Sequence, residues 1–151
     1  MVAIATETPD QPEVLALLAQ SDAYMAALYP AESNHLLDIA ALLRPEVTFL
    51  VARLDGRAVG CAALVRCGAD WAEIKRMFVD PAARGHKLGR RLLQALEAAA
   101  SEQGIAILRL ETGISQPEAL ALYRTAGFAE IEPFGDYKPD PLSLFMEKRL
   151  A

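Results

Sequence analysis

Residues 71–96 read WAEIKRMFVDPAARGHKLGRRLLQAL, and the architecture of the chain can be worked out from this stretch. Residues 71–79 are rich in β-forming side chains and predict a strand that ends at an Asp-Pro pair. Leucines at helical spacing predict an amphipathic helix over residues 84–103. Gly85 and Gly89 lie at its start. A glycine-containing turn that opens a helix is an anion-binding device, because the first backbone N–H groups of the helix have no partner within it.

Four basic residues stand at the predicted start of this helix: Arg84, Lys87, Arg90 and Arg91. Cations at a helix N-terminus oppose the helix dipole, so their placement costs local stability unless an anion binds there. The pattern indicates a phosphate-bearing ligand, and a solvated basic helix start is the alternative interpretation. The turn is not a P-loop, since no Gly-Lys-Ser/Thr sequence closes it, and the dinucleotide-binding spacing G-x-G-x-x-G is also missing.

The rest of the chain changes its hydrophobic period in a way that predicts further helices and strands. Strands are predicted at residues 2–7, 47–53, 58–66, 105–110, 128–131 and 142–149, and helices at 13–28, 34–43 and 117–126. In the last strand, Ser143 and Phe145 are expected on the face opposite Leu142, Leu144 and Met146. The predicted order is β-α-α-β-β-β-α-β-α-β-β. It corresponds to an α/β (α+β) sandwich around one mixed sheet, a single domain over residues 1–151.

The composition is that of an ordinary globular domain, with 151 residues of which 53% are hydrophobic and 23% charged. A formal net charge of −5 argues against general nucleic-acid binding, which needs a basic face. No run approaches the ~20 apolar residues of a membrane span, and the N-terminus lacks a secretory signal, so we expect a cytoplasmic protein with no membrane partner. Cys61 lies in the predicted strand 58–66 and Cys67 directly follows it, so extended chain would hold them too far apart for a disulfide unless the chain turns between them. Two cysteines without a His/Cys cluster do not indicate a metal site.

Two motifs resemble the signatures of the GNAT superfamily of N-acetyltransferases. Residues 79–89, VDPAARGHKLG, are similar to the acetyl-CoA signature Gln/Arg-x-x-Gly-x-Gly/Ala, with Lys87 in place of its middle glycine. Residues 116–128, QPEALALYRTAGF, resemble Asn-x-x-Ala-x-x-Leu-Tyr-x-x-x-Gly-Phe, with Gln116 in place of asparagine. The two motifs stand in the order and separation found in the family. The resemblance implies the GNAT fold, whose central sheet is mixed and mostly antiparallel.

This resemblance also implies acetyl-CoA as the acetyl donor and no metal. Strands 71–79 and 105–112 are expected to splay apart, with the pantetheine arm in the gap and the pyrophosphate on the amides of the loop that follows. The residues so implied in cofactor binding are Met77, Phe78, Val79, Arg84, Gly85, His86, Lys87, Leu88, Gly89, Arg90 and Gln116.

The chemistry implied by the resemblance is direct attack of a primary amine, without an acyl-enzyme. A lysine-like amine has a pKa near 10.4 and must first lose a proton. Glu73 matches the position of the catalytic glutamate in several family members and is the predicted base; the alternative is a surface strand glutamate paired with Lys75 or a cross-strand cation. Tyr123 stands where the family commonly keeps its general acid, which protonates the coenzyme A thiolate; the alternative is a helix tyrosine packed on the core.

In the GNAT fold the connection between the first two helices and the last hairpin flank the acceptor. Both segments are polar and aromatic here, and the residues expected at the pocket are Tyr29, Glu32, His35, Phe134, Asp136, Tyr137 and Ser143. The alternative is that their Asp, Ser and Asn side chains serve as caps and turns. The expected acceptor is a small-molecule or peptide amine, and the protein is expected to be a monomer or homodimer. Two other functions stay open: a non-catalytic acetyl-CoA-binding regulator, and a transferase that uses a longer acyl-CoA.

Overall fold

The computed structural model describes residues 1–33 and 37–150, without the side chain of Glu32. The helices and strands follow one another along the chain in the predicted order. The elements are β1 (Val2–Thr6), α1 (Pro12–Leu28), α2 (Ile39–Leu42), β2 (Val47–Leu54), β3 (Arg57–Arg66), β4 (Trp71–Val79), α3 (Leu88–Glu102), β5 (Ile107–Gly113), α4 (Pro117–Thr125), β6 (Ala129–Ile131) and β7 (Ser143–Arg149). Short 3-10 turns at Ala31–Ser33 and Pro81–Ala83 complete the connections.

Within the described ranges, the strands form one seven-stranded sheet in the order β1-β2-β3-β4-β5-β7-β6. Only β4 and β5 are parallel neighbours in this sheet, and the other adjacent pairs are antiparallel. The long crossover through α3 is what allows β4 and β5 to run in parallel. The predicted fold class and the predicted mixed sheet are therefore confirmed.

Helices cover both faces of the sheet and create two hydrophobic cores. On one face, the α3 stripe of Leu92 and Leu96 packs against strand residues such as Leu64. On the other face, Val14 of α1 packs with Phe49 of β2. Each fully buried side chain of this size contributes about 1.5–3 kcal/mol through removal from water. The sheet is thereby held between two layers of helices, and β4 and β5 lie next to each other in its middle.

The α3 helix begins later than predicted. It starts at Leu88 and not at Arg84, because Gly85 and Lys87 have φ angles of 97° and 55°, which are incompatible with a right-handed helix. Residues 84–87 are therefore loop, although their composition resembles that of the helix. This correction puts the glycine-containing loop and the helix N-terminus side by side.

The α2 helix is shorter than the predicted 34–43. It spans Ile39–Leu42, and the Asp38 carboxylate accepts a hydrogen bond from the Ala41 N–H at 2.9 Å. Such a cap satisfies an N–H that has no partner inside the helix, and it defines the helix start. Residues 34–36 of the prediction lie outside the described residues.

The last strand is buried on both faces. Phe145 lies on the face opposite Met146, as the alternation predicts, yet the two side chains are 4% and 1% exposed. The loop between β6 and β7 covers the Phe145 face, where Phe134 and Tyr137 pack edge-on against its ring. This aromatic layer was not expected from the pattern of the strand alone.

Both cysteines carry free thiols, with Cys61 buried in β3 and Cys67 exposed just after that strand. No helix among the described residues is both long and apolar enough to cross a membrane.

Candidate active site

Strands β4 and β5 separate halfway along their length. Their parallel pairing runs from Trp71 opposite Ile107 to Ile74 opposite Leu110 and goes no further. A β-bulge follows at once in β4, where the pairing with β3 shifts register and Arg76 has a φ of 56°. A bulge bends its strand and increases the local twist. The result is a gap between the two strands that opens toward the carboxyl end of β4.

The bulge is tied to α1 through Arg76. Its guanidinium is buried and donates to the Asp22 carboxylate at 2.6 Å and to the Leu18 carbonyl at 3.3 Å. Its Nε has no acceptor among the described residues. A non-glycine residue in this backbone conformation costs of order 1–3 kcal/mol and persists only when its surroundings hold it. The ion pair to α1 is the contact that holds it here.

The larger cavity fills the gap and continues to the start of α3, with a volume of about 570 Å³. It brings together most of the residues implied in cofactor binding: Met77, Phe78, Val79, Arg84, Gly85, Lys87, Leu88, Gly89 and Gln116. Two of that set lie elsewhere. His86 is exposed and does not line this cavity, and Arg90 lines a separate groove between α3 and α4.

One end of this cavity is formed by the start of α3. The helix has no side-chain cap and no acidic residue in its first turn, so its first N–H groups and its dipole remain available to an anion. Arg84 and Lys87 are exposed beside it. Lys87 occupies the position of the motif's middle glycine and keeps the left-handed conformation that glycine adopts there without cost. The departure from the family pattern thus changes the side chain and leaves the loop backbone in a glycine-like conformation.

A smaller cavity of about 90 Å³ adjoins the larger one. The two share Met77, Gln116, Ala119 and Tyr123 in their walls. The smaller cavity adds polar side chains from β4, β5 and the β6–β7 loop: Glu73, Lys75, Glu111, Thr112 and Tyr137. An apolar cleft therefore opens into a compact polar pocket at the wall formed by Met77 and Tyr123.

Glu73 is 8% exposed and has two partners in this pocket. The Tyr137 hydroxyl donates to its Oε2 at 2.5 Å, and the Lys75 Nζ lies 3.5 Å from the same oxygen. The pairing with Lys75 matches the alternative interpretation made from the sequence, but the carboxylate lies in a pocket and not on the open surface. Glu73 is thus both paired with Lys75 and located in the smaller cavity.

Tyr123 lies at the boundary of the two cavities. It is 7% exposed, and its hydroxyl donates to the Met77 sulfur at 3.5 Å. Burial raises the pKa of Tyr123, and the nearby Glu111 carboxylate raises it further. The hydroxyl is therefore protonated at neutral pH, as a proton donor must be.

Among the residues expected at the acceptor pocket, Tyr137 lines the pocket and Tyr29 supports its wall. The Tyr29 hydroxyl donates to Gln116 Oε1 at 3.2 Å and accepts from the Ser115 N–H at 3.1 Å. A Cβ at Gly113 would collide with the Tyr29 ring, so glycine is required there.

The other expected acceptor residues lie outside the pocket walls. Phe134 packs behind Tyr137, Asp136 is exposed on the β6–β7 loop, and Ser143 is buried at the start of β7. His35 and the side chain of Glu32 lie outside the described part of the chain.

Lys75 and Glu111 line the pocket but were not predicted as site residues. Lys75 could have been found from the strand period, since residues i and i+2 share a face and Glu73 precedes it by two. Glu111 gives no such signal, because it reaches the pocket only through the divergence of β5 from β4.

Comparison with known proteins decides the family. A model described as the Acetyltransferase (GNAT) family matches residues 14–128. This chain belongs to the GNAT family of acetyltransferases. An IAA acetyltransferase from Azospirillum brasilense is 53% identical over 99% of this chain and 98% of the relative. The resemblance stated from the motifs is thus confirmed, and so is the assignment of the chain as an N-acetyltransferase.

Solved structures of GNAT proteins match the same architecture. An acyl-CoA N-acyltransferase from Klebsiella pneumoniae superposes with a TM-score of 0.89 and 41% identity, covering 100% of this chain and 99% of that one. The PaiA N-acetyltransferase from Thermoplasma acidophilum, solved in complex with coenzyme A, has a TM-score of 0.77 and 20% identity, covering 99% of each chain. This second likeness concerns the fold alone.

The GNAT family uses acetyl-CoA, and the residues of this chain fit that donor. An elongated cleft of about 570 Å³ runs between diverging strands and ends at an uncapped helix start flanked by cations. Those are the features that a pantetheine arm and a pyrophosphate need: apolar walls for the first and N–H donors for the second.

Proposed function

We propose that this GNAT acetyltransferase transfers the acetyl group of acetyl-CoA directly to a primary amine of a small molecule or peptide. Glu73 accepts the proton of the amine, and Tyr123 supplies a proton to the departing coenzyme A thiolate. The observation that carries the proposal is the junction of the two cavities. A carboxylate in the smaller one and a protonated phenol at the junction flank the place where donor and acceptor would meet.

In the proposed reaction the amine nitrogen forms a bond to the acetyl carbonyl carbon while the carbon–sulfur bond breaks. The protonated amine first gives one proton to the Glu73 carboxylate, which returns it to solvent. The nitrogen loses its second proton to the same carboxylate as its bond to the carbonyl carbon forms, and one proton passes from the Tyr123 hydroxyl to sulfur. Glu73 and Tyr123 then return to their starting states by exchanging protons with solvent, so atoms and charges balance. Met77, Phe78 and Val79 line the cleft at the end of β4, which pairs there with β3 but no longer with β5. Backbone groups on the β5 side of this segment would hold the pantetheine arm.

The Glu73 role is tested by the pH dependence of kcat/KM. The kcat/KM of the wild-type enzyme should rise toward basic pH as the amine and the base lose their protons. Glu73→Gln keeps size and hydrogen bonding but cannot accept a proton, so its activity should be low at neutral pH and recover partly at high pH, where neutral amine is abundant. Glu102→Gln, at the exposed end of α3, is the matched control. A Glu73→Gln profile of unchanged shape and height would move the base elsewhere, first to Glu111 in the same pocket and then to His35.

The acceptor is best identified by a screen of amines and peptide N-termini, read by free thiol release and by product mass. IAA belongs in this screen, because the Azospirillum relative is named for it. Longer acyl-CoA donors belong in it as well, since the Klebsiella structure is described as an acyl-CoA N-acyltransferase. Thiol release that depends on a primary amine supports the proposal, and release only with acceptors of another class contradicts it.

A further inference from the structure

Three polar side chains form a chain of contacts at the wall of the smaller cavity. The Lys75 Nζ donates to the Tyr137 hydroxyl oxygen at 2.6 Å, and that hydroxyl donates its proton to Glu73 Oε2 at 2.5 Å. Lys75 and Glu73 share one face of β4, whereas Tyr137 comes from the β6–β7 loop. The side chains of Lys75 and Glu73 are 13% and 11% exposed, so solvent does little to screen the contacts.

The position of Tyr137 is held by packing. Its ring meets Phe134 at 5.2 Å and Phe145 at 5.3 Å between centroids, both edge-on, and the Lys75 Nζ lies 5.2 Å from the ring centre. Edge-on aromatic pairs are worth about 0.5–1.5 kcal/mol beyond the area they bury. The ring therefore has a defined orientation, and the loop that carries it is anchored over β4.

We propose that Tyr137 and Lys75 are positioning residues for Glu73, which hold one carboxylate oxygen so that the other faces the amine of the acceptor. The proposal rests on the assignment of Glu73 as base. Tyr137 has one hydroxyl proton and gives it to Oε2; Lys75 binds the hydroxyl oxygen and prevents that proton from turning into the pocket. Both of these interactions of Glu73 involve Oε2, and no hydrogen bond or ion pair to Oε1 is found among the described residues. In this proposal Oε1 is the oxygen that receives the proton.

The electrostatics of the pocket support this arrangement. Burial raises the pKa of Tyr137, and the charge and hydrogen bond of Glu73 raise it further, so the hydroxyl stays a donor throughout the neutral range. Lys75 places its ammonium group 3.5 Å from the carboxylate oxygen that accepts the Tyr137 proton. Arg109 is opposite Glu73 in the sheet register, but it donates to Glu147 and stacks on Trp71. Lys75 is therefore the cation that contacts Glu73.

The test is a double-mutant cycle between Tyr137→Phe and Glu73→Gln. Tyr137→Phe keeps the ring and its packing but removes the hydroxyl, so kcat should fall about tenfold or more through loss of orientation. The dissociation constant for acetyl-CoA should stay within about twofold of wild type, since the hydroxyl is not in the cofactor cleft. In the Glu73→Gln background, Tyr137→Phe should cost nothing further, because a positioning residue has no effect once the base is gone.

Lysine variants provide a second measurement that does not depend on Tyr137→Phe folding. Lys75→Met should lower kcat and Lys75→Arg should restore most of it, because arginine can still donate to the Tyr137 oxygen. Lys138→Met, an exposed neighbour on the same loop, is the matched control and should behave as wild type. Thermal unfolding of each variant separates lost stability from lost positioning.

The outcomes distinguish this inference from the proposed function on which it rests. If Glu73→Gln is inactive while Tyr137→Phe and Lys75→Met keep full kcat, Glu73 is the base and the positioning role is overturned. If Tyr137→Phe loses the same factor with and without Glu73, it acts independently of that residue, which also overturns the inference. If Glu73→Gln itself keeps wild-type activity, the base assignment fails first.

Discussion

Tyr123 combines core packing with a position in the walls of both cavities. In isolation a tyrosine on a helix is a packing residue, and this one does pack edge-on against Phe128 at 5.8 Å. Tyr123, however, also lines both the larger and the smaller cavity. The packing interpretation made from the sequence describes the ring, and the role of the hydroxyl as general acid stays a prediction.

Replacing Tyr123 by phenylalanine should therefore reduce kcat by roughly 10²-fold or more, the loss expected for a general acid. The acetyl-CoA dissociation constant should be nearly unchanged, because the proton is needed only as the carbon–sulfur bond breaks. Single-turnover kinetics with calorimetry on the same protein measure the two quantities separately. A kcat within about twofold of wild type, with chemistry rate-limiting, would show that Tyr123 only packs.

At the scale of elements, the loop and the first turn of α3 act as one unit. Gly85 and Lys87 turn the chain through two left-handed conformations, and Gly89 follows in the first turn, where a Cβ would lie 3.2 Å from the Leu122 side chain. The close approach of α3 and α4 narrows the floor of the cleft. Glycine is required at position 85 for its positive φ, whereas a Cβ at position 89 would need the flexible Leu122 side chain to move by a few tenths of an ångström.

Variants at Gly89 can separate the backbone donor from the steric requirement. Gly89→Pro removes an N–H from the first turn of α3, where that group has no partner inside the helix, and acetyl-CoA affinity should fall about tenfold or more, as for a charge-assisted hydrogen bond. Gly89→Ala is the matched control, since it adds a Cβ near Leu122 but retains the N–H; it should lose much less affinity. Calorimetry on both folded variants gives the comparison. If Gly89→Pro and wild type bind acetyl-CoA with equal affinity, the pyrophosphate is not held by this helix start.

At the scale of the whole molecule, several buried acidic groups share one direction of pKa shift. Burial raises the pKa of Cys61 to about 12, and burial is also the main cause of the raised pKa values of Tyr29, Tyr123 and Tyr137. In the unfolded chain these groups ionise near their ordinary values, about 8.5 for the thiol and about 10 for the phenols. Each folded-state pKa is therefore above the unfolded one.

The consequence is a loss of stability on the alkaline side. The stabilisation is complete below the unfolded pKa values and disappears as pH rises above them, so the free energy of unfolding should begin to fall near about pH 9. The slope is about 1.4 kcal/mol per pH unit for each group ionised only in the unfolded state. Urea unfolding at several pH values measures this, and Tyr137→Phe should show a shallower decline. A free energy of unfolding that stays constant up to about pH 11 would contradict the prediction.

Predictability from the sequence also depends on scale. The bounds of β4, Trp71–Val79, follow from β-forming residues ended by an Asp-Pro pair, a local signal that the structure confirms. The predicted start of α3, Arg84, was one turn earlier than the observed start, Leu88. A composition typical of a helix start does not show that Lys87 adopts a positive φ. Arg76 was not predicted as a site residue, since its bulge depends on the pairing of β4 with β3 and on Asp22, 54 residues away.

What the sequence alone determined about this protein is local: the period of each helix and strand, their order, and two motifs whose residues are neighbours along the chain. These suffice for the fold class, and most of the residues proposed to hold the donor come from β4 and from the loop and helix that directly follow it in sequence. The set of residues that line the smaller cavity could not be predicted from the sequence, because it depends on tertiary structure. Tyr137 reaches Glu73 across 64 residues, and Glu111 reaches the same pocket because β5 diverges from β4. Such contacts depend on how strands diverge and loops fold back, and no local period in the sequence records that geometry.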